Sequence, residues 1–139
     1  MKNNLKHILY DIPETNMSVT DTGKLIKAKT GEEITNEVIK YKGKSTRTKT
    51  LILTVYRALG REDLYPTVTD VWYEFYKDYT HYIDYSLISF CREYGINYDH
   101  AWNAIKNNRD TSCGWTILRK SNETLKHSLK KEEVDEGKR

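Results

Sequence analysis

No stretch of this sequence approaches the roughly 18 to 20 consecutive apolar residues of a membrane span. The opening segment, Met1 to Glu14, lacks the apolar core and cleavage site of a secretory signal. The expectation is a protein that stays in the cytoplasm and has no membrane partner. Cysteine is scarce: Cys91 and Cys113 lie in unrelated segments, with no Cys-x-x-Cys pair and no Cys/His cluster at zinc-ligand spacing. That excludes a disulfide framework, suits a reducing compartment and leaves no structural metal to expect. Histidine is thin too, with His7, His81, His100 and His127 dispersed along the chain. A nucleophile elbow, a phosphate-binding glycine loop and a recognisable acid pair are all missing. No catalytic residue, cofactor or small-molecule substrate is expected.

What is present is aromatic and basic. Hydrophobic residues make up 37% of the 139 and charged residues 31%, so a core is possible but not a large one. Eleven Tyr, three Trp and two Phe supply much of the apolar surface. Tyrosine packs its ring while hydrogen-bonding through its hydroxyl, which suits thin modules and wet polynucleotide interfaces alike. The net charge of +3 conceals an asymmetry: residues 1 to 61 hold twelve Lys/Arg against six Asp/Glu, and the remainder eleven against fourteen. Between positions 38 and 61 there are seven cations and no acid. Such a stretch repels itself unless it faces an anion, and a polyanionic backbone is a common partner; a solvated basic face is the alternative.

The pattern along the chain predicts an α+β protein. A basic β-hairpin module spans 1–60, a linker containing Pro66 spans 61–70, a helix-turn-helix module with flanking strands spans 71–118, and a charged tail spans 119–139. Glycine turns at Asp21-Thr22-Gly23 and Lys42-Gly43-Lys44 separate short β-branched runs, the signature of tight hairpins. The run Thr48 to Tyr56, rich in Thr, Ile and Val, reads as a strand, with a short helix starting at Arg57. Val71 to Tyr76 and His81 to Asp84 read as a hairpin, a helix over 68–83 being the competitor. Further on, Leu87, Phe90, Cys91 and Tyr94 sit at helical spacing, Gly95 is placed to end that helix, and Asn97 to cap the next. In the second helix Tyr98, Ala101, Trp102 and Ile105 share the expected inward face. Gly114 to Leu118 reads as a closing strand.

Helix-turn-helix units present their second helix to the major groove. Its outward face would carry Asp99, His100, Asn103, Lys106 and Asn107, with Arg109 just beyond. Amides there can meet an adenine edge, and His or Lys can reach guanine or phosphate. In the first module Lys24, Lys27, Lys29, Lys40, Lys42, Lys44, Arg47, Lys49 and Arg57 are the candidate phosphate contacts, a generic basic β surface being the plain alternative.

Two segments resemble the accessory domains of phage HNH homing endonucleases. Residues 8 to 59, above all Met17-Ser18-Val19-Thr20-Asp21-Thr22-Gly23-Lys24-Leu25-Ile26-Lys27-Ala28-Lys29-Thr30-Gly31, are similar to the hairpin module that precedes the catalytic finger in that family. Val55-Tyr56-Arg57-Ala58-Leu59 matches its Val-His-Arg-Leu-Val segment, with Tyr56 in place of His. Residues 71 to 118 resemble its C-terminal helix-turn-helix repeat, through Phe90-Cys91-Arg92-Glu93-Tyr94-Gly95-Ile96-Asn97 and Gly114-Trp115-Thr116. Where the metal-binding finger should follow there is only Arg61 to Asp70. The resemblance therefore implies double-stranded DNA as partner without metal-dependent cleavage, a phage or mobile-element regulator. The other reading is a phage protein that binds and inhibits a host protein through its aromatic surface, because Trp72, Tyr73, Phe75, Tyr76, Tyr79, Tyr82 and Tyr85 exceed what one small core can hold.

Overall fold

The structure, a computed structural model, describes residues 7–111 and 113–123 of an α+β chain. The chain divides into two compact units, Met1–Thr69 and Asp70–Arg139. The second begins where the expected linker ends.

In the first unit β1 (Ile8–Asp11), β2 (Met17–Thr20) and β3 (Leu25–Lys27) form an antiparallel sheet in sequence order. The β2–β3 hairpin is the expected one; β1 is additional, and its half-exposed residues explain why no clean alternation marks it. The central strand is buried along most of its length, with Ser18, Val19 and Thr20 all at 0% exposure. A second sheet consists of β4 (Val38–Tyr41) and β5 (Lys44–Arg47) alone.

The run expected as a strand from Thr48 is instead α1 (Thr48–Ala58). Its β-branched residues favour a strand locally, but Thr48, Ile52 and Tyr56, and Leu51 and Val55, recur every four positions and are all buried. Packing of that stripe overrides propensity. At the start of the helix Thr48 donates its backbone N–H to Glu37 O and its hydroxyl to Asn36 O, at 2.9 and 2.6 Å. The segment expected as a linker is a 3-10 helix, Glu62–Thr67, which contains Pro66, packs against α1 and buries Tyr65 to 2%. It belongs to the first unit.

The second unit follows the sequence more closely. β6 (Val71–Lys77) is the middle strand of an antiparallel sheet, flanked by β7 (Thr80–Asp84) and β8 (Thr116–Ser121). The closing strand thus starts after Trp115 and runs to Ser121, so Arg119 to Ser121 are sheet rather than tail; residues 124–139 lie outside the described residues. α2 (Leu87–Tyr94) starts at Ser86, whose hydroxyl accepts from Ser89 N, and stops at Gly95, where φ is +67. α3 (Tyr98–Lys106) starts at Asn97, whose side-chain oxygen accepts from His100 N at 3.0 Å. One sheet face and both helices enclose the core, centred on Phe75 stacked against Phe90 at 3.6 Å with Trp115 edge-on to Phe90 at 5.4 Å.

Candidate nucleic-acid interface

The basic residues of the first unit fall into two groups. Lys24 lies 3.4 Å from Glu33, and Lys27 lies 3.5 Å from Glu32. These exposed pairs are individually weak, yet they reduce the charge that the hairpin offers a phosphate. Arg61 grips Asp63 through two hydrogen bonds of 3.0 and 2.9 Å, which hold the Asp63 carboxyl below its ordinary range. Lys29 is exposed.

The second group surrounds the β4–β5 ribbon. Cross-strand pairing puts Val38 with Arg47 and Lys40 with Ser45 on one face, and Ile39 with Thr46 and Tyr41 with Lys44 on the other. Burial follows the same division along the strands' middle, while at the ends Arg47 is half-buried and Lys44 exposed. Val38, Lys40 and Ser45 are exposed, whereas Ile39, Tyr41 and Thr46 are half-buried. The outward face therefore combines Lys, Arg, Ser and an apolar Val that is 49% exposed. At the tip Lys42 and Gly43 both have positive φ, +53 and +74, the two-residue turn that matches ribbon twist. Lys42 Nζ lies 5.4 Å from the centre of the Tyr41 ring. Lys49, expected on a strand, lies on the first turn of α1 instead, and Arg57, expected to start a short helix, lies on the last turn of that longer one. They are not part of the ribbon.

In the second unit, three residues, Gly95 to Asn97, connect α2 to α3. Asp99, His100, Asn103 and Lys106 are exposed on α3, as expected, while Ala101 and Ala104 are buried beneath. The inward face differs from the expectation at one end. Tyr98 is 36% exposed, because at the first helical position it lies beyond the core that Ala101 enters; Trp102 and Ile105 are partly buried against that core. Asp99 sits in the first turn, where a carboxylate complements the helix dipole; that explains its presence better than contact with phosphate does. Asn107 lies past the helix as its C-cap and donates its side-chain N–H to Asn103 O at 2.9 Å, so the two amides are not an equivalent reading pair.

Beside α3 lies an open cleft of about 390 Å³ lined by His100, Asn103, Ala104, Arg109, Asp110 and Thr111. Asn108 adopts a positive φ of +51, and Arg109 N donates to Ala104 O at 3.0 Å, folding the chain back onto the helix end. Sequence reasoning names His100, Asn103 and Arg109 but misses Asp110 and Thr111 as wall residues; the turn at Asn107 to Asp110 is the one available signal.

His81 does have an acid neighbour, which the spacing of the histidines does not reveal. Strand pairing sets it near Glu74, 3.2 Å away, with Lys120 Nζ 2.6 Å from the other carboxylate oxygen and the Tyr76 hydroxyl donating at 3.1 Å. The buried carboxylate is thereby satisfied. No group of three His, Cys, Asp or Glu that could hold a metal occurs among the described residues. Burial, with Cys113 a lesser cause, raises the Cys91 thiol, so it stays protonated rather than nucleophilic. No helix among the described residues is long and apolar enough to cross a membrane. Comparison with protein-family models, with curated proteins and with solved structures finds no match.

Proposed function

We propose that the chain is a non-enzymatic DNA-binding protein, of the kind that a phage or mobile element uses as a regulator. The observation that carries the reading is the β4–β5 ribbon: a narrow basic element inside an acid-free stretch from 38 to 61, with Lys40 exposed on one face and Lys42 at the tip. The major groove is about 12 Å wide and admits a two-stranded ribbon or a helix. Each unit offers one such element, the ribbon in the first and α3 in the second. Linking two modest grips raises affinity through effective concentration.

The roles divide by chemistry. Lys29, Lys40, Lys42, Lys44, Arg47 and Lys49 hold phosphates, with Lys24, Lys27 and Arg57 secondary; His100, Asn103 and Lys106 meet base edges. The resemblance to HNH homing-endonuclease accessory modules supports the same division. A gel shift on mixed duplexes at low and moderate salt tests it: binding that weakens steeply with salt is expected, and no shift at low salt refutes it.

A second reading has its own observation. Tyr79 is fully exposed at the β6–β7 turn, and Tyr82, Tyr94, Tyr98 and Leu118 are each more than a third exposed. Such aromatics also suit capture of a host protein. A host partner retained from lysate after nuclease treatment, together with no duplex binding, would favour this reading.

A further inference from the structure

The cleft beside α3 brings together several polar side chains that do little for the fold. Among the described residues, no protein group engages the His100 ring, the Asn103 amide or the Arg109 guanidinium, while the backbone beneath them is tied by hydrogen bonds. Asp110 is held differently. Its Oδ1 accepts from the Thr116 hydroxyl at 2.7 Å, which fixes the carboxylate and leaves Oδ2 without a partner among the described residues. Ala104 and Thr111 are buried and form the floor, Thr111 Oγ1 being occupied by Trp115 N at 2.9 Å. At about 390 Å³ the cleft falls at the small end of ligand sites, which run from about 300 to 1,000 Å³.

The walls select a ligand class. A phosphate alone would be repelled by Asp110, so the ligand should offer acceptors to the cation and donors to the carboxylate. A guanine base has both: its O6 and N7 accept from a guanidinium fork, and its N1–H and N2–H donate to a carboxylate. The His100 ring supplies a stacking surface, and Asn103 a further donor and acceptor. We infer that this cleft binds an unpaired guanine, with Arg109 and Asp110 reading its two edges. The base belongs either to a free guanine nucleotide or to a strand from which it is turned out of the stack. In the second case the inference rests on the DNA-binding reading, since α3 then delivers the strand.

The test titrates GMP, AMP, CMP and UMP into the full chain by calorimetry, followed by short single strands that contain one guanine or none. GMP or the guanine-containing strand should bind about tenfold more tightly than the other bases, within the range that one bidentate pair contributes. Preference for GMP identifies a free nucleotide; preference only in the strand identifies a displaced base. Arg109→Ala and Asp110→Asn should each abolish the preference. Thr116→Val, which removes the tether but keeps the carboxylate, should weaken it only partly and serves as the folding control, with circular dichroism on all three. Equal binding of all four bases, or of none in either form, overturns the inference. Duplex binding without guanine preference would sink the cleft and leave the DNA-binding reading standing; guanine preference without duplex binding would do the reverse.

Discussion

The hydroxyl of Tyr56 on α1 donates to the carbonyl oxygen of Thr20 at 2.5 Å, at the end of the strand that leads into the β2–β3 turn. The hydroxyl oxygen in turn accepts from Gly23 N at 3.0 Å, so one side chain closes both sides of the turn. Tyr56 is fully buried. Replacing it with Phe leaves a buried backbone carbonyl and a part-buried N–H without their partner. Tyr56→Phe should therefore cost about 1–3 kcal/mol in denaturant unfolding; a loss within error of zero would show that the turn holds itself.

Two glycines separate crowding from backbone strain. Gly23 has φ +80, and a Cβ there would run into the carbonyl of Thr67; Gly43 has φ +74 with open space around it. Gly43→Ala should lose about 1 kcal/mol from the left-handed backbone alone. Gly23→Ala carries the same strain plus displacement of the 3-10 helix, and should lose clearly more. Equal midpoints in thermal melts would contradict the packing of that helix against the hairpin turn.

Alkaline titration offers a third check. Tyr94 is pushed up to about 12, first by burial and then by its neighbours Tyr82 and Glu93. Tyr56 is also raised, chiefly by burial. Both groups are easier to ionise in the unfolded chain than in the folded one. Their contribution to stability is therefore complete below the ordinary tyrosine value of about 10 and is lost as pH rises from there toward the folded values. Urea midpoints should be flat from about pH 8 to 9.5 and fall between about 10 and 12, and Tyr94→Phe should reduce the fall. A fall that begins near neutrality would point to other groups.

Legibility from the sequence divides along physical lines. The second unit is readable because its signals are local: Gly95 can take a left-handed backbone, Asn97 can cap, and Leu87, Phe90, Cys91 and Tyr94 recur at helical spacing. The first unit is less so, because its deciding interactions are distant in sequence. Thr48 to Tyr56 has strand composition, and only the buried stripe Thr48, Ile52 and Tyr56 shows that tertiary packing wins. The pairing of Lys24 with Glu33 sorts hairpin lysines from ribbon lysines, and no count of charges contains that distinction. In the cleft, Asp110 becomes visible as a wall residue only when Thr116 fixes it from the neighbouring strand.

The split between the two lysine groups sets an expectation of its own. Lys24→Ala with Lys27→Ala removes cations already facing Glu33 and Glu32. DNA affinity should change little, by less than about threefold, since the facing carboxylates already reduce the charge these lysines offer a phosphate. A large drop in a filter-binding assay would place the DNA contact on the β2–β3 hairpin rather than on the ribbon.

The central claim is that the ribbon holds a phosphate backbone, and salt dependence measures it most directly. Fluorescence anisotropy on a labelled duplex, across a range of salt concentrations, gives the slope of log affinity against log salt for the full chain and for the Lys40→Ala/Lys42→Ala variant. The account expects a steep negative slope for the unmodified chain, and a slope shallower by about 0.9 for each phosphate that the variant no longer neutralises. Identical slopes, or no duplex binding by the unmodified chain at low salt, would contradict it.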